Sequence, residues 1–134
     1  MPTQIFVNLP VKDLNKSVEF FTKLGYTFNP QFTDENATCM IISDTIFVML
    51  LVEPFFKSFT KQEITDTATS NESIICLSVN SRADVDLMVS KAVEAGATAP
   101  SAPQDHGFMY GHGFTDLDGH IWEYSWMDPA NIQG

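Results

Sequence analysis

The chain is short of positive charge, of cysteine and of long apolar runs, and each shortage removes a class of function. Seven of the 134 residues are Lys or Arg against seventeen Asp or Glu, a formal net charge of -10. A surface of that sign repels phosphate backbones and anionic lipid, which argues against nucleic-acid and membrane partners. The acidity itself reads as solubility. The two cysteines, Cys39 and Cys76, lie in apolar runs (ATCMII and SIICLSV) and form no CxxC pair. They read as buried, reduced thiols. No stretch is apolar for long enough to cross a bilayer. The opening MPTQIFVNLP lacks a charged start, an apolar run and a small-residue cleavage site, so no secretory signal is expected and the expected compartment is the cytoplasm.

What is present is a repeat. IFVNLPV, residues 5–11, alternates well enough for a strand, and Pro10 puts its end at a sheet edge or a bulge. In KDLNKSVEFFTKLGY, Leu14, Val18, Phe21 and Leu24 recur at helical spacing, Asp13 can cap the start, and Gly25 suits a left-handed stop. Three short strands are expected to follow, near 26–28, 37–42 and 46–51. EPFFKSF can form a short helix after Pro54. The second half runs in the same order. SIICLSV is a strand, and SRADVDLMVSKAVEAG is a helix with Val85, Met88, Val89, Ala92 and Val93 on its apolar side. Ser81 and Asp84 offer a capping box there, and Gly96 a stop. GFMYGHGFT, a DLDG turn and HIWEYSWM close the chain as a hairpin. A repeat of this length predicts an α+β domain of two βαβββ modules, about 4–58 and 73–128, whose curved mixed sheet forms a cup with the helices outside. The polar, Thr- and Ser-rich segment of about 59–72 reads as a linker, with a lid as the alternative.

Side chains alternate along the last strand, so Ile121, Glu123 and Ser125 share one face and Trp122, Tyr124 and Trp126 the other. The aromatic face belongs against the helices, which turns Glu123 into the cup. Gly119 suits a type I turn with a G1 bulge, and that register sets Gly113 opposite Glu123. A turn without the bulge would set His112 there instead, and the sequence leaves both registers open. His106 and His120 read from their positions as loop and hairpin-edge residues, and the histidine spacing gives no i,i+2 or i,i+4 metal pair.

Three segments, LPVKDLNKSVEFFTKLGY, ICLSVNSRADVD and FTDLDGHIWEYSWMD, resemble the vicinal oxygen chelate superfamily of glyoxalases, bleomycin and fosfomycin resistance proteins and extradiol dioxygenases. Within it, the chain is similar to small bacterial proteins called predicted lactoylglutathione lyases. The resemblance implies paired modules, a homodimer and, in catalytic members, a divalent metal held from four strands. Carried over, those ligand positions fall at Phe6, Met49, Ile74 and Glu123. Of these only Glu123 suits a hard cation, so no metal cofactor is expected. A slip of two residues would offer Asn8, Cys76 and Glu123. The expected ligand-binding residues are Phe6, Asn8, Phe47, Met49, Ile74, Cys76, Met109, Gly113 and Glu123, an apolar lining with few polar points. The expected function is binding of a small, partly apolar molecule in a metal-poor cup. The alternatives are a metal-dependent lyase or isomerase of glyoxalase type, and a metal-free enzyme with Glu123 as catalytic base.

Overall fold

The computed structural model describes residues 2–131. The chain divides between Thr65 and Asp66 into two compact units. The first unit runs β1 (Ile5–Val11), α1 (Leu14–Lys23), β2 (Thr27–Asn29), β3 (Ala37–Ile41), β4 (Ile46–Val52) and the short α2 (Glu53–Lys57). The second runs β5 (Ile74–Ser78), α3 (Arg82–Glu94), β6 (Gln104–Asp105), β7 (Met109–Thr115) and β8 (Ile121–Met127). Each unit holds a four-stranded mixed sheet, in the orders β1-β4-β3-β2 and β5-β8-β7-β6. In both, the first strand lies parallel to the last and the others are antiparallel. The architecture is therefore the expected α+β pair of βαβββ modules. No helix among the described residues is long and apolar enough to cross a membrane.

The local signals explain the elements. Asp13 caps α1 by accepting the Lys16 amide, and Ser81 caps α3 by accepting the Asp84 amide. Both helices stop at glycines in the left-handed region, Gly25 at φ 103° and Gly96 at φ 117°. The buried stripe of α1 is Leu14, Ser17, Phe20 and Phe21, with Leu24 beyond it, while Val18 is only half-buried. The stripe is thus shifted toward the two phenylalanines, which remove more apolar surface from water than one valine. On α3, Val85, Val89 and Ala92 are buried. Val93, expected beside them, is 46% exposed, because it lies one residue past the stripe that meets the sheet.

In the second unit, α3 packs on β7 and β8. Phe114, Trp122 and Tyr124 fill that side of the sheet, with the Phe114 and Tyr124 rings stacked at 6.0 Å. In the first unit the corresponding core holds Leu9, Val11, Met40, Val48 and Leu50 beside Phe20 and Phe21. One large, apolar face per sheet is consumed in this way, and the alternate residues of each strand are left on the other face.

Candidate functional site

The β7–β8 hairpin sets the geometry of the second unit's open face. Asp116, Leu117, Asp118 and Gly119 form a tight turn closed by the Gly119 amide on the Asp116 carbonyl, with Gly119 at φ 83°. The Asp116 amide also donates to the His120 carbonyl, which completes the bulged turn. The Asp116 side chain holds this shape from inside. Its Oδ1 accepts the Asp118 and His120 amides at 2.9 and 3.0 Å, and its Oδ2 accepts Trp122 Nε1 at 2.8 Å. Burial pushes the Asp116 carboxyl up, against the pull of His120 and these donors. The turn fixes the register: Gly113 lies opposite Glu123, and His112 opposite Tyr124. The bulged alternative is the one adopted.

Glu123 therefore leaves β8 on the face away from Trp122 and Tyr124. Its neighbour on β5 is Cys76, and Ser125 follows on the same face. Cys39 is buried as expected, but Cys76 is exposed, because its place on β5 turns it to the open face of the sheet. The Cys76 thiol donates to Ser125 Oγ at 3.4 Å. Partial desolvation pushes this thiol up, the Ser125 hydroxyl pulls it down because it can turn to donate to the thiolate, and the Glu123 carboxylate pushes it up again by charge and hydrogen bond. The thiol is thus protonated at neutral pH and is a poor nucleophile. Across from Glu123 and Ser125, β7 carries Gly113 and Gly111, so no side chain stands over the carboxylate from that strand.

A cavity of about 210 Å³ opens here. Met109, Gly111, Gly113, Ile121 and Glu123 line it from the sheet, and Pro100, Ser101, Ala102 and Gln104 from the segment before β7. Among the described residues, Glu123 is the single carboxylate in that lining, and the lining holds no Lys or Arg. His112, on the helix side of β7, also borders it and donates Nε2–H to the Ser101 carbonyl at 2.7 Å. Three expected site residues, Met109, Gly113 and Glu123, thus meet around one hollow. Ile74 and Cys76 share its sheet face on β5, with Ile74 61% exposed.

In the first unit, Phe6, Asn8, Phe47 and Met49 also share the face away from the core. Phe6 pairs with Phe47 and Asn8 with Met49 along the parallel strands. The two phenylalanine rings stack at 4.9 Å and 14°. The Asn8 amide donates to the Phe6 carbonyl of its own strand at 3.1 Å. His106 lies in an exposed loop and His120 in the hairpin, as expected from their places in the chain.

The donor set does not fit a hard divalent ion. Phe6 and Ile74 have no ligating atom, Met49 offers a soft thioether, and Glu123 offers one carboxylate whose strand neighbours are a protonated thiol and glycine. Among the described residues, no three His, Cys, Asp or Glu side chains gather as ligands.

Sequence pattern carries no warning of the wall at 100–104 or of the role of Asp116. The GxG spacing of Gly111 and Gly113, which places both glycines on one face of a strand, is the available signal for the hollow.

Two βαβββ modules, each with an open sheet face, define the class of fold. Residues 3–43 match the family described as bleomycin resistance protein-like N-terminal. A hypothetical protein from S. aureus is 33% identical, over 94% of this chain and 95% of that one, with a TM-score of 0.79. A glyoxalase/bleomycin resistance protein/dioxygenase family enzyme from Burkholderia phytofirmans PsJN has a TM-score of 0.80 at 14% identity, over 94% of this chain and 99% of its own. A fosfomycin resistance protein from Mesorhizobium loti has a TM-score of 0.70 at 14% identity, over 97% and 96%. No curated protein sequence matches the chain at a significant level. The chain belongs to the vicinal oxygen chelate superfamily, the group of glyoxalases, bleomycin resistance proteins and dioxygenases.

Proposed function

We propose that this protein binds a small, partly apolar molecule carrying a cationic or hydrogen-bond-donating group, without a resident metal, and that Glu123 is the polar anchor. The observation that carries this reading is the placement of Glu123 as the single carboxylate of a hollow floored by two glycines and edged by Met109 and Ile121. A carboxylate beside apolar walls favours a ligand that brings a positive charge or a donor and covers the rest with carbon. The net charge of -10 draws such ligands to the protein. A cytoplasmic homodimer is part of the same reading. It rests on the family likeness and on the apolar side chains left open on the two sheets, Phe6 and Ile74 among them.

The test combines metal analysis, binding and turnover. The purified protein is expected to hold no stoichiometric zinc, nickel, manganese or iron and to lack hemithioacetal isomerisation. It is expected to bind 1-methylquinolinium, and Glu123→Gln should weaken that binding about tenfold, the loss of one charge-assisted contact. Bound metal with isomerase turnover would establish the lyase instead. Turnover of any substrate without metal, abolished in Glu123→Gln while binding persists, would establish a general base.

A further inference from the structure

The outer edge of β7 is paired on both sides of a gap. Thr115 exchanges both backbone hydrogen bonds with Thr98, at 2.7 and 3.1 Å. Its N–H and C=O therefore leave β7 on the side away from β8. Backbone groups repeat their direction every second residue along a strand, so Gly113, Gly111 and Met109 point the same way. The Met109 carbonyl accepts the His106 amide at 2.8 Å, and Gly111 pairs with Gln104 on β6. Gly113 is passed over. Among the described residues nothing pairs with its N–H or its C=O on that edge, and it lines the cavity.

The cause lies in the facing segment. Between the two pairings, that segment takes six residue steps, from 98 to 104, while β7 takes four, from 115 to 111. Two surplus residues must bow outward. Pro100 and Pro103 lack the amide that a ladder needs. Ala102, which a regular ladder would bring close to Gly113, lies instead in the cavity wall. The bow is tied back by His112 Nε2–H on the Ser101 carbonyl. A second tie is Arg82, which donates to the Asp105 carboxylate at 2.7 Å and to the Gly107 carbonyl at 2.8 Å.

We infer that the Gly113 backbone edge is a recognition site for an aminoacyl-type unit, a carbonyl acceptor and an N–H donor on either side of one carbon. This rests on the binding function proposed above and names the chemistry of its ligand. One residue of an antiparallel strand offers its N–H and C=O to the C=O and N–H of one residue opposite, and Gly113 presents that pair to the hollow. Glu123, its partner across β8, lies beside it to receive a further donor or positive group of the same molecule. Glycine suits the position. A Cβ at 113 would stand 3.1 Å from the Trp122 carbonyl, a contact tighter than ordinary packing that the carbonyl would have to relieve by a few tenths of an ångström. His112 acts as a positioning residue that fixes the bow against β7.

Amide-resolved NMR on the whole chain tests this, with N-acetylglycine methylamide as probe. In the free protein the Gly113 amide should exchange with solvent at least about tenfold faster than those of Gly111 and Thr115, whose hydrogen bonds protect them. The probe should shift and protect the Gly113 amide saturably. The analogue with an ester in place of the donor N–H should bind about tenfold more weakly, the worth of one hydrogen bond. His112→Ala should leave Gly113 exchange fast, because the two surplus residues still hold the segment off the edge, and should weaken the probe by loosening the cavity wall. Gly113 protection equal to that of Gly111 in the free protein, or equal binding of amide and ester, overturns the inference. So does a probe that leaves the Gly113 amide untouched. Retained 1-methylquinolinium binding in that event would leave the Glu123 anchor standing, whereas loss of both would remove the binding function as well.

Discussion

Cys76 sits between two neighbours that push its thiol in opposite directions, which makes it a reporter of the site. The Ser125 hydroxyl, by donating to the thiolate, lowers its pKa, and Glu123 raises it, on top of the rise caused by partial desolvation. The thiolate is the reactive form, so alkylation by iodoacetamide should speed up only above the pH at which a free cysteine does so. Glu123→Gln should move that onset down and Ser125→Ala should move it up, a pair of opposite shifts that mass spectrometry of the labelled Cys76 peptide reads directly. Cys39, 1% exposed, should remain unlabelled throughout. The direction of these side chains is legible in the sequence. Strand alternation puts Cys76 and Glu123 on one face, and Gly119 offers the left-handed residue that a bulged turn needs, while the structure decides between the two registers. The exposure of Cys76 is not legible in the same way. An apolar run suggests burial, yet on β5 the exposed Cys76 alternates with half-buried Ile75 and Leu77.

The hairpin is held by the element's own buried carboxylate. Asp116 directs one oxygen to two backbone amides and the other to Trp122 Nε1. Asp116→Asn keeps an acceptor for the amides but turns an NH₂ toward the indole N–H, leaving two buried donors face to face. The expected loss is about 1–3 kcal/mol, the usual cost of an unsatisfied buried group. Urea denaturation followed by far-UV circular dichroism measures it. Trp122→Phe should cost less in the Asp116→Asn background than in the wild type, since the pair is then already broken. Sequence pattern can place the turn, the caps and the glycine stops, because each is a local property of a few adjacent residues. It cannot place the bow at 99–103, because two prolines announce only irregular chain. What makes that bow a wall is the mismatch of six steps against four with a strand that follows later in the chain, and a hydrogen bond from His112. The helix stripes show the intermediate case. Periodicity finds Leu14, Phe21 and Leu24, while packing decides that Phe20 goes in and Val93 stays out.

For the molecule as a whole, the charge balance sets both solubility and stability. With a net charge of -10 on 134 residues, like charges repel across the folded surface, and the exposed ion pairs, Lys57–Glu63 and Arg82–Asp105, offset little of it. Salt at physiological strength screens such repulsion beyond about 8 Å. Raising sodium chloride from low concentration to that range should therefore raise the Tm in differential scanning calorimetry. It should weaken 1-methylquinolinium over the same range, since the field that attracts a cation is the one being screened. A Tm that falls with added salt would show that the ion pairs outweigh the excess of acid.

The surplus of two residues opposite β7 has a consequence for how this sheet can change over generations. A deletion of two residues between Thr98 and Gln104 would remove the mismatch that the bow absorbs, and the shortened segment could zip along β7 and lengthen β6. Such a chain would exchange its hollow for a longer ladder. Length, more than any single side chain, is what keeps this module from closing on itself.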